Sequence, residues 1–218
     1  MPHPATPWLG RRTVLTGLSA AAGTLLLPAT SRAQNKLIST PRQTAGPFYP
    51  VEWSGDIDAD LVVVKGEAAE AIGQITHVSG RVLDVSSQPI SAAVVEIWQC
   101  DANGHYRHPR DSGGSARDPG FQGRGRVITD ASGRYSFRTI RPVAYAGRAP
   151  HIHFKVVLPD SRALITQMYV FGEAQNTSDV VLSSIRDQRQ RDSVIVRLAP
   201  ASGLEASALA GTFDIVIA

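Results

Sequence analysis

The sequence predicts an all-β fold, either a sandwich or a barrel. Its apolar residues recur in short segments with the alternation that is typical of half-buried strands. Turn-forming residues separate these segments, and the 218 residues include 19 glycines and 14 prolines. Short strands at this spacing, in a chain of this length, indicate one β domain with its own hydrophobic core.

Alternation and β-branched content define the expected strands in chain order. A turn at 130–133 predicts that the two strands flanking it form a hairpin. The polar segment 177–190 has room for a short helix. The predicted strands cover 75–84, 92–99, 127–129, 135–139, 151–158, 164–171, 193–198 and 212–217.

Residues 1–33 have the features of an export signal. Arg11 and Arg12 precede an apolar stretch at 14–27 that is too short for a comfortable membrane span. Small residues lead up to Ala33, so we expect a twin-arginine (Tat) signal that is cut after Ala33 and leaves no stable membrane span. The expectation is a periplasmic or extracellular protein with the Tat machinery as a partner. A Sec signal and an uncleaved anchor are the alternatives.

Residues 34–218 are expected to form a single domain. The whole chain has a formal charge of +3, and residues 1–33 contribute three arginines and no acidic residue, so the remainder has no net formal charge. A nearly neutral domain is not a nucleic-acid binder by charge. Cys100 is the one cysteine, which excludes an intramolecular disulfide and suits a small buried hydrophobe.

The strongest functional signal is the pair His151 and His153 at the head of a predicted strand. Side chains at i and i+2 of a strand point to the same face, so both imidazoles can reach one metal ion. Such pairs bind zinc, copper and non-haem iron, and the other ligands decide between these metals. No carboxylate stands in obvious register with the pair. His105 and His108, in a loop, are weaker ligand candidates, and His77 has no nearby partner.

Two tyrosines lie in loops upstream of this pair. Tyr106 follows an Asn-Gly turn, and Tyr145 comes three residues before Arg148. Phenolate is a hard, electron-rich donor that favours Fe(III). Among zinc, copper and non-haem iron, these tyrosines therefore favour ferric iron.

Six motifs, in order along the chain, resemble the signature of the intradiol ring-cleavage dioxygenases, which include protocatechuate 3,4-dioxygenases and catechol 1,2-dioxygenases. The similarity extends from about residue 44 to residue 198. It implies a β-sandwich core of short, mostly antiparallel strands with long active-site loops. The motifs are Thr-Ala-Gly-Pro-Phe-Tyr at 44–49, Gly-Arg-Val-Leu-Asp at 80–84, the run 89–106 that ends in Asp-Ala-Asn-Gly-His-Tyr, the run 129–142, Arg-Ala-Pro-His-Ile-His-Phe at 148–154 and Thr-Gln-Met-Tyr at 166–169.

The resemblance implies one non-haem Fe(III) per active site, held by four side chains of this chain. Tyr106, Tyr145, His151 and His153 match the family's ligands, and Tyr145 matches the catalytic tyrosine that substrate displaces. The implied reaction cleaves a catechol-type ring with O2 between its two hydroxyl-bearing carbons and gives a cis,cis-muconate-type product. A catechol-type aromatic compound and O2 are therefore the implied partners, and a homo-oligomer is an open expectation.

The resemblance also assigns residues around the metal. Arg148 matches the catalytic arginine, whose guanidinium can stabilise negative charge developing on the substrate. Gln167 matches a glutamine of the substrate pocket, and Gly46 and Pro47 lie in the motif that matches the pocket's N-terminal segment. Residues 34–218 are thereby expected to be an intradiol dioxygenase-like catalytic domain.

The five residues between Tyr145 and His151 form a shorter segment than family members usually carry, which predicts a more open pocket. Two alternatives to the dioxygenase remain. One is a non-catalytic, transthyretin-like β-sandwich binding module in which the histidines are structural. The other is a zinc or copper enzyme that uses the same histidine pair. Tyr135 and Tyr169 are expected to be core aromatics.

Overall fold

A computed structural model describes residues 36–218 of the chain. The expected signal at 1–33 and its cleavage site after Ala33 lie outside the described residues. The described residues cluster as one compact unit. Within the described part, no helix combines the length and the apolar character needed to cross a membrane.

Strands dominate the described region, and the helical segments are short. The helices are α1 (Val180–Ser183) and α2 (Gln188–Ser193), with single 3₁₀ turns at Gly114–Ala116 and Ala174–Thr177. The strands are β1 (Ile75–Asp84), β2 (Val94–Trp98), β3 (Arg124–Ile128), β4 (Arg134–Ile140), β5 (His151–Val157), β6 (Ala163–Val170), β7 (Ile195–Val196), β8 (Ala199–Pro200), β9 (Leu209–Thr212) and β10 (Ile215–Ile217).

The strands form two five-stranded sheets, as expected for the predicted all-β sandwich. In the first sheet β1 pairs with β4, β9 and β10, and β8 extends β9. The second sheet has the order β3-β2-β5-β6-β7. Most pairs are antiparallel, while β1–β9, β1–β10 and β6–β7 are parallel. The predicted fold class is confirmed.

Apolar side chains from both sheets meet in a core between them. Phe154 of β5 packs against Phe213, with ring centroids 5.1 Å apart, and against Tyr135 of β4 at 6.0 Å. All three are buried. Tyr135 also donates a hydrogen bond to the Phe213 carbonyl, which satisfies its hydroxyl inside the core. Tyr135 is therefore the core aromatic that the sequence predicted.

The predicted hairpin across 130–133 is wrong. β3 pairs with β2 and β4 pairs with β1, so this turn carries the chain from one sheet to the other. Thr129 still bonds to Ala93 on the β2 side, whereas Gly133 already accepts a bond from Val82 of β1. Turn residues show where the chain reverses direction. They do not show which strands pair with the two strands that flank the turn.

Candidate metal centre

The candidate site lies on the outer face of the second sheet, opposite the core. A segment at 43–53 crosses this face: Gln43 bonds through its backbone N–H to Ile165, and Gln167 donates through its side-chain amide to the Thr44 carbonyl. Because side chains alternate along each strand, neighbouring strands present matched positions to the same face. Residues that are paired across β2, β5 and β6 therefore share this outer face. They are Trp98, His151, His153, Gln167 and Tyr169.

His151 and His153 point their Nε2 atoms at one another, 3.1 Å apart. The Nδ1 atom of His151 lies 2.6 Å from the Ala149 carbonyl, which can only accept a hydrogen bond. The proton of a neutral His151 is therefore assigned to Nδ1, so its Nε2 carries a free lone pair. The His153 ring stacks on Trp98, with centroids 4.8 Å apart and planes 6° from parallel. The pair is held with two ring nitrogens converging on one place.

Both candidate tyrosines adjoin the histidine pair. The Tyr106 ring centroid lies 6.1 Å from that of His153, and the Tyr145 centroid lies 5.5 Å from that of His151. The two tyrosine rings are 5.2 Å apart. The structure thus brings together all four residues predicted as metal ligands.

Among the described residues, the Tyr106 hydroxyl is a buried polar group that makes no hydrogen bond of normal geometry, although it lies close enough to the Tyr145 hydroxyl to influence its pKa. Its residue is 2% exposed, and Phe48 covers the ring by stacking at a centroid distance of 4.7 Å. Burying a hydroxyl with no partner costs free energy, so such groups in native proteins call for an explanation. A metal ion bonded to the Tyr106 oxygen and the two Nε2 atoms provides one, and this donor set fits ferric iron.

Burial shifts the protonation equilibria of the four residues. It lowers the pKa of His151 to about 4, with a further contribution from the positive charge of Arg148, and it lowers the pKa of His153 well below the usual range. Burial raises the pKa of both Tyr106 and Tyr145. Without a metal the imidazoles are therefore neutral and the phenols protonated at neutral pH, so a metal that bound to the phenol oxygens would release their protons.

A two-residue turn places Tyr145 beside Arg148. The Arg148 N–H donates to the Tyr145 carbonyl at 2.7 Å, and the two residues between them have positive φ, 44° at Ala146 and 77° at Gly147. Two consecutive positive φ values are the hallmark of a type I′ turn. The short segment before His151 is thus a tight turn that still holds the Tyr145 ring against His151.

Arg148 is fixed by a buried carboxylate. Its Nε donates to Asp179 at 2.8 Å, and its Nη2 donates to Gln167 Oε1 at 2.6 Å and to the Tyr169 hydroxyl at 3.3 Å. Asp179 also accepts from the Ala149 N–H at 2.8 Å. Although burial alone raises the pKa of Asp179, these hydrogen bonds and the charge of Arg148 outweigh it and lower the pKa.

Asp179 is a residue that sequence reasoning missed. It is the N-cap of α1, where it accepts hydrogen bonds from the backbone N–H groups of Val181 and Leu182. An aspartate ahead of a helix is a recognisable N-cap signal. The signal predicts the cap, but it does not reveal the contact with Arg148, which lies 31 residues away in the chain.

The predicted pocket residues differ in what they offer to a ligand. Gln167 is fully buried, and both ends of its amide are bonded within the protein, to Arg148, Tyr169 and Thr44. Gly46 lies beside the pair, since a Cβ built on it would stand 3.5 Å from His153 Cε1. Pro47 is exposed.

Two other candidate histidines form pairs with carboxylates away from this centre, and Tyr169 has a polar contact in addition to its packing. His105 pairs with Asp111 at 3.2 Å, and His77 pairs with Glu205 at 3.2 Å. Tyr169 is buried, as predicted for a core aromatic, but its hydroxyl also joins the hydrogen-bond network of Arg148. Across residues 36–218, no group of three or more His, Cys, Asp or Glu side chains is arranged to hold a metal ion.

Comparison with known proteins identifies the family. A family model described as Dioxygenase matches residues 44–218. The chain is 38% identical over 185 residues to the protocatechuate 3,4-dioxygenase beta chain of Burkholderia cepacia, with 81% of this chain and 78% of that protein covered. It is 37% identical over 180 residues to catechol 1,2-dioxygenase of Candida albicans, with 74% of this chain and 57% of that protein covered.

A solved structure has the same fold. The dioxygenase domain of a dioxygenase carbohydrate-binding protein fusion from Streptomyces sp. SirexAA-E superposes with a TM-score of 0.64 at 29% identity, covering 83% of this chain and 98% of that one. The chain spans only about half the length of the hydroxyquinol and catechol relatives it matches, 48% and 57%. Together with the sandwich fold, these matches show that the chain belongs to the intradiol ring-cleavage dioxygenase family.

Proposed function

We propose that this protein is a non-haem Fe(III) dioxygenase that cleaves a catechol-type ring with O2 between its two hydroxyl-bearing carbons, to a cis,cis-muconate-type product. The observation that carries the proposal is the convergence of two histidine Nε2 atoms, 3.1 Å apart, beside the buried hydroxyl of Tyr106, which makes no hydrogen bond of normal geometry within the described part of the chain. Relatives named for protocatechuate, catechol and hydroxyquinol support a catechol-type substrate.

In this proposal Tyr106, Tyr145, His151 and His153 hold one iron ion. Bound iron would supply a Lewis acid that activates the catechol ring towards O2. The tyrosine assigned to exchange a proton with the substrate is Tyr145, because it is only partly buried whereas Tyr106 is 2% exposed. Tyr145 can then accept a proton from the catechol at its own hydroxyl oxygen.

Arg148 has a supporting electrostatic role. Its guanidinium, fixed by Asp179 and Gln167, keeps a permanent positive charge beside the histidine pair, and that charge contributes to the lowered pKa of both histidines. A preorganised charge of this kind stabilises negative charge that develops during a reaction without having to reorganise. Gln167 is proposed to orient Arg148, and Gly46 and Pro47 to border the substrate space.

The remaining proposals concern the whole chain. Residues 34–218 are proposed as the catalytic domain and residues 1–33 as a Tat signal that directs it to the periplasm or outside the cell. N-terminal sequencing of the exported protein tests this directly, because cleavage after Ala33 leaves Gln34 as the first residue. A homo-oligomer is tested by light scattering of the purified protein.

The visible absorption spectrum tests the proposed function. A protein with phenolate bound to ferric iron has a charge-transfer band in the visible range, and the band should shift to longer wavelength when catechol is added without O2. Tyr106→Phe should weaken the band, whereas Tyr135→Phe, at a buried tyrosine in the core, should leave it unchanged. A protein that stays colourless after iron loading rejects the proposal and favours the binding module or a zinc enzyme.

A further inference from the structure

The two histidines of the candidate metal centre are held in different ways. His151 is oriented by a hydrogen bond, because its Nδ1 lies 2.6 Å from the Ala149 carbonyl. His153 Nδ1 is buried and makes no hydrogen bond to the described residues. Histidines that bind metals almost always donate their second ring N–H to a partner, which fixes the orientation of the ring. Contacts of another kind must therefore orient His153.

The Trp98 indole makes the closest of these contacts to the His153 ring. Positions 98 and 153 are directly paired between β2 and β5, and the two rings stack with centroids 4.8 Å apart and planes 6° from parallel. Trp98 is 1% exposed, and within residues 36–218 its indole N–H has no hydrogen-bond partner. A buried indole usually has one. The contribution of Trp98 at this place is therefore its flat face, which restricts rotation of the His153 ring.

Tyr49 packs against Trp98 and is itself anchored by charged groups. Its ring meets the indole edge-on, with centroids 5.0 Å apart and planes at 84°. Its hydroxyl donates to Glu96 Oε2 at 2.9 Å and accepts from Lys155 Nζ at 2.8 Å. Glu96 is buried, and its Oε1 accepts from Arg126 Nη2 at 2.6 Å. Hydrogen bonds to charged groups are stronger than neutral ones, so they hold Tyr49 firmly over Trp98.

The register of the second sheet brings these anchors next to the metal centre. Glu96 and Lys155 are directly paired between β2 and β5, two residues along the strands from Trp98 and His153. Because residues at i and i+2 of a strand share a face, the charged pair and the stacked pair are neighbours on the outer face of the sheet. Tyr49, in the segment that crosses this face, bridges the two pairs.

We propose that Trp98 is a positioning residue for His153, and that Tyr49 and Glu96 hold Trp98 in place. The stack keeps His153 Nε2 directed towards His151 Nε2, 3.1 Å away, so the pair is arranged before a metal binds. Preorganisation of this kind raises affinity, because less conformational freedom is lost on binding. The inference rests on the proposed function, since it takes His153 as a ligand of iron.

Iron affinity is measured by titrating chelator-treated protein with ferric iron buffered by nitrilotriacetate. Trp98→Leu, which removes the flat ring, should weaken iron binding about tenfold or more, as expected when the group that orients a metal ligand is lost. Trp98→Phe keeps an aromatic face and should stay within about threefold of the unaltered protein. Equal weakening in both variants would overturn the stacking role. So would a loss of stability in Trp98→Leu with unchanged iron affinity, because that result describes a merely structural residue.

Tyr49→Phe tests the support from the charged pair. This variant keeps the ring but loses both hydrogen bonds of the hydroxyl, so iron binding should weaken about threefold. Tyr135→Phe is the matched control, because it removes a tyrosine hydrogen bond in the core and should leave iron affinity unchanged. No change in Tyr49→Phe, or an equal loss in Tyr135→Phe, would contradict the proposal. If Trp98→Leu does not fold, this comparison decides in its place.

Nuclear magnetic resonance of the metal-free protein gives an independent readout. The ring protons of His153 should be shifted upfield by the ring current of the stacked indole. The shift should shrink in Tyr49→Phe and persist in Tyr135→Phe. A His153 ring without this shift refutes the positioning role. If the protein binds no iron, the proposed function fails, while the ring-current shift still decides whether Trp98 positions His153.

Discussion

Arg148 and Asp179 form an ion pair at the wall of the candidate metal centre, with Nε and Oδ2 2.8 Å apart. The Asp179 side chain is fully buried, and it caps α1 while it holds the guanidinium. One carboxylate therefore couples the position of a helix to the position of a charge beside the histidines. Because removing one member leaves the other charge buried without a partner, this pair is sensitive to single substitutions.

We expect Asp179→Asn to lower the free energy of unfolding by about 3 kcal/mol, because Arg148 loses its counter-charge. Combining it with Arg148→Met should cost less than the sum of the two single changes, since the uncompensated charge is then gone. Chemical denaturation of the four proteins measures the coupling. Asp160→Asn, in the exposed pair with Arg162, is the control and should have little effect, because solvent screens an exposed ion pair. Additive effects at 148 and 179 would contradict the prediction.

Tyr106→Phe should leave the metal-free protein as stable as before, or more stable by about 1 kcal/mol, because it removes a buried hydroxyl that makes no hydrogen bond of normal geometry to the described residues. The same change should remove most of the stabilisation that iron gives to the protein. Thermal unfolding with and without iron separates the two effects. Tyr135→Phe breaks a hydrogen bond to the Phe213 carbonyl, so it should destabilise both forms by about 1 kcal/mol. A large loss of metal-free stability in Tyr106→Phe would argue against a ligand role.

Gly147→Ala should lower the free energy of unfolding by about 1 kcal/mol, because φ is 77° at this position and L-residues are strained there. The added Cβ meets no atom of residues 36–218 within 4 Å, so the expected cost comes from backbone strain. Denaturant unfolding measures the change. Gly203→Ala is the matched control, since its Cβ also has open space and its φ is not in the left-handed region. Equal effects at the two glycines would show that the turn between Tyr145 and Arg148 is not strained by a side chain.

Cys100 should resist alkylation in the folded protein. Burial, with a contribution from the charge of Asp101, raises the pKa of its thiol to about 12, so the thiolate is nearly absent at pH 8.5. Iodoacetamide should react only after denaturation, which mass spectrometry detects. Because the folded pKa exceeds the unfolded one, the protein should also lose stability as the pH rises above about 8.5. Native-state alkylation at the denatured rate would refute the prediction.

Local signals in the sequence predicted much of the fold. The strand at Ile75–Asp84 was predicted with the bounds that the structure shows, because alternation is a property of the strand itself. The hairpin across 130–133 failed, since the partners of its two strands are β1 and β2, and pairing depends on residues far along the chain. Periodicity therefore locates strands better than it assigns them to sheets.

The sequence by itself determined the histidine pair: a strand with histidines at i and i+2 must place both rings on one face. The loop tyrosines Tyr106 and Tyr145 were candidates from the residues alone, and resemblance to a family assigned their roles and that of Arg148. Only the tertiary structure decided that Asp179 fixes Arg148, that the Gln167 amide is fully engaged within the protein, and that Trp98 stacks on His153. The physical reason is that these contacts join distant parts of the chain, whereas periodicity and capping signals describe only neighbouring residues.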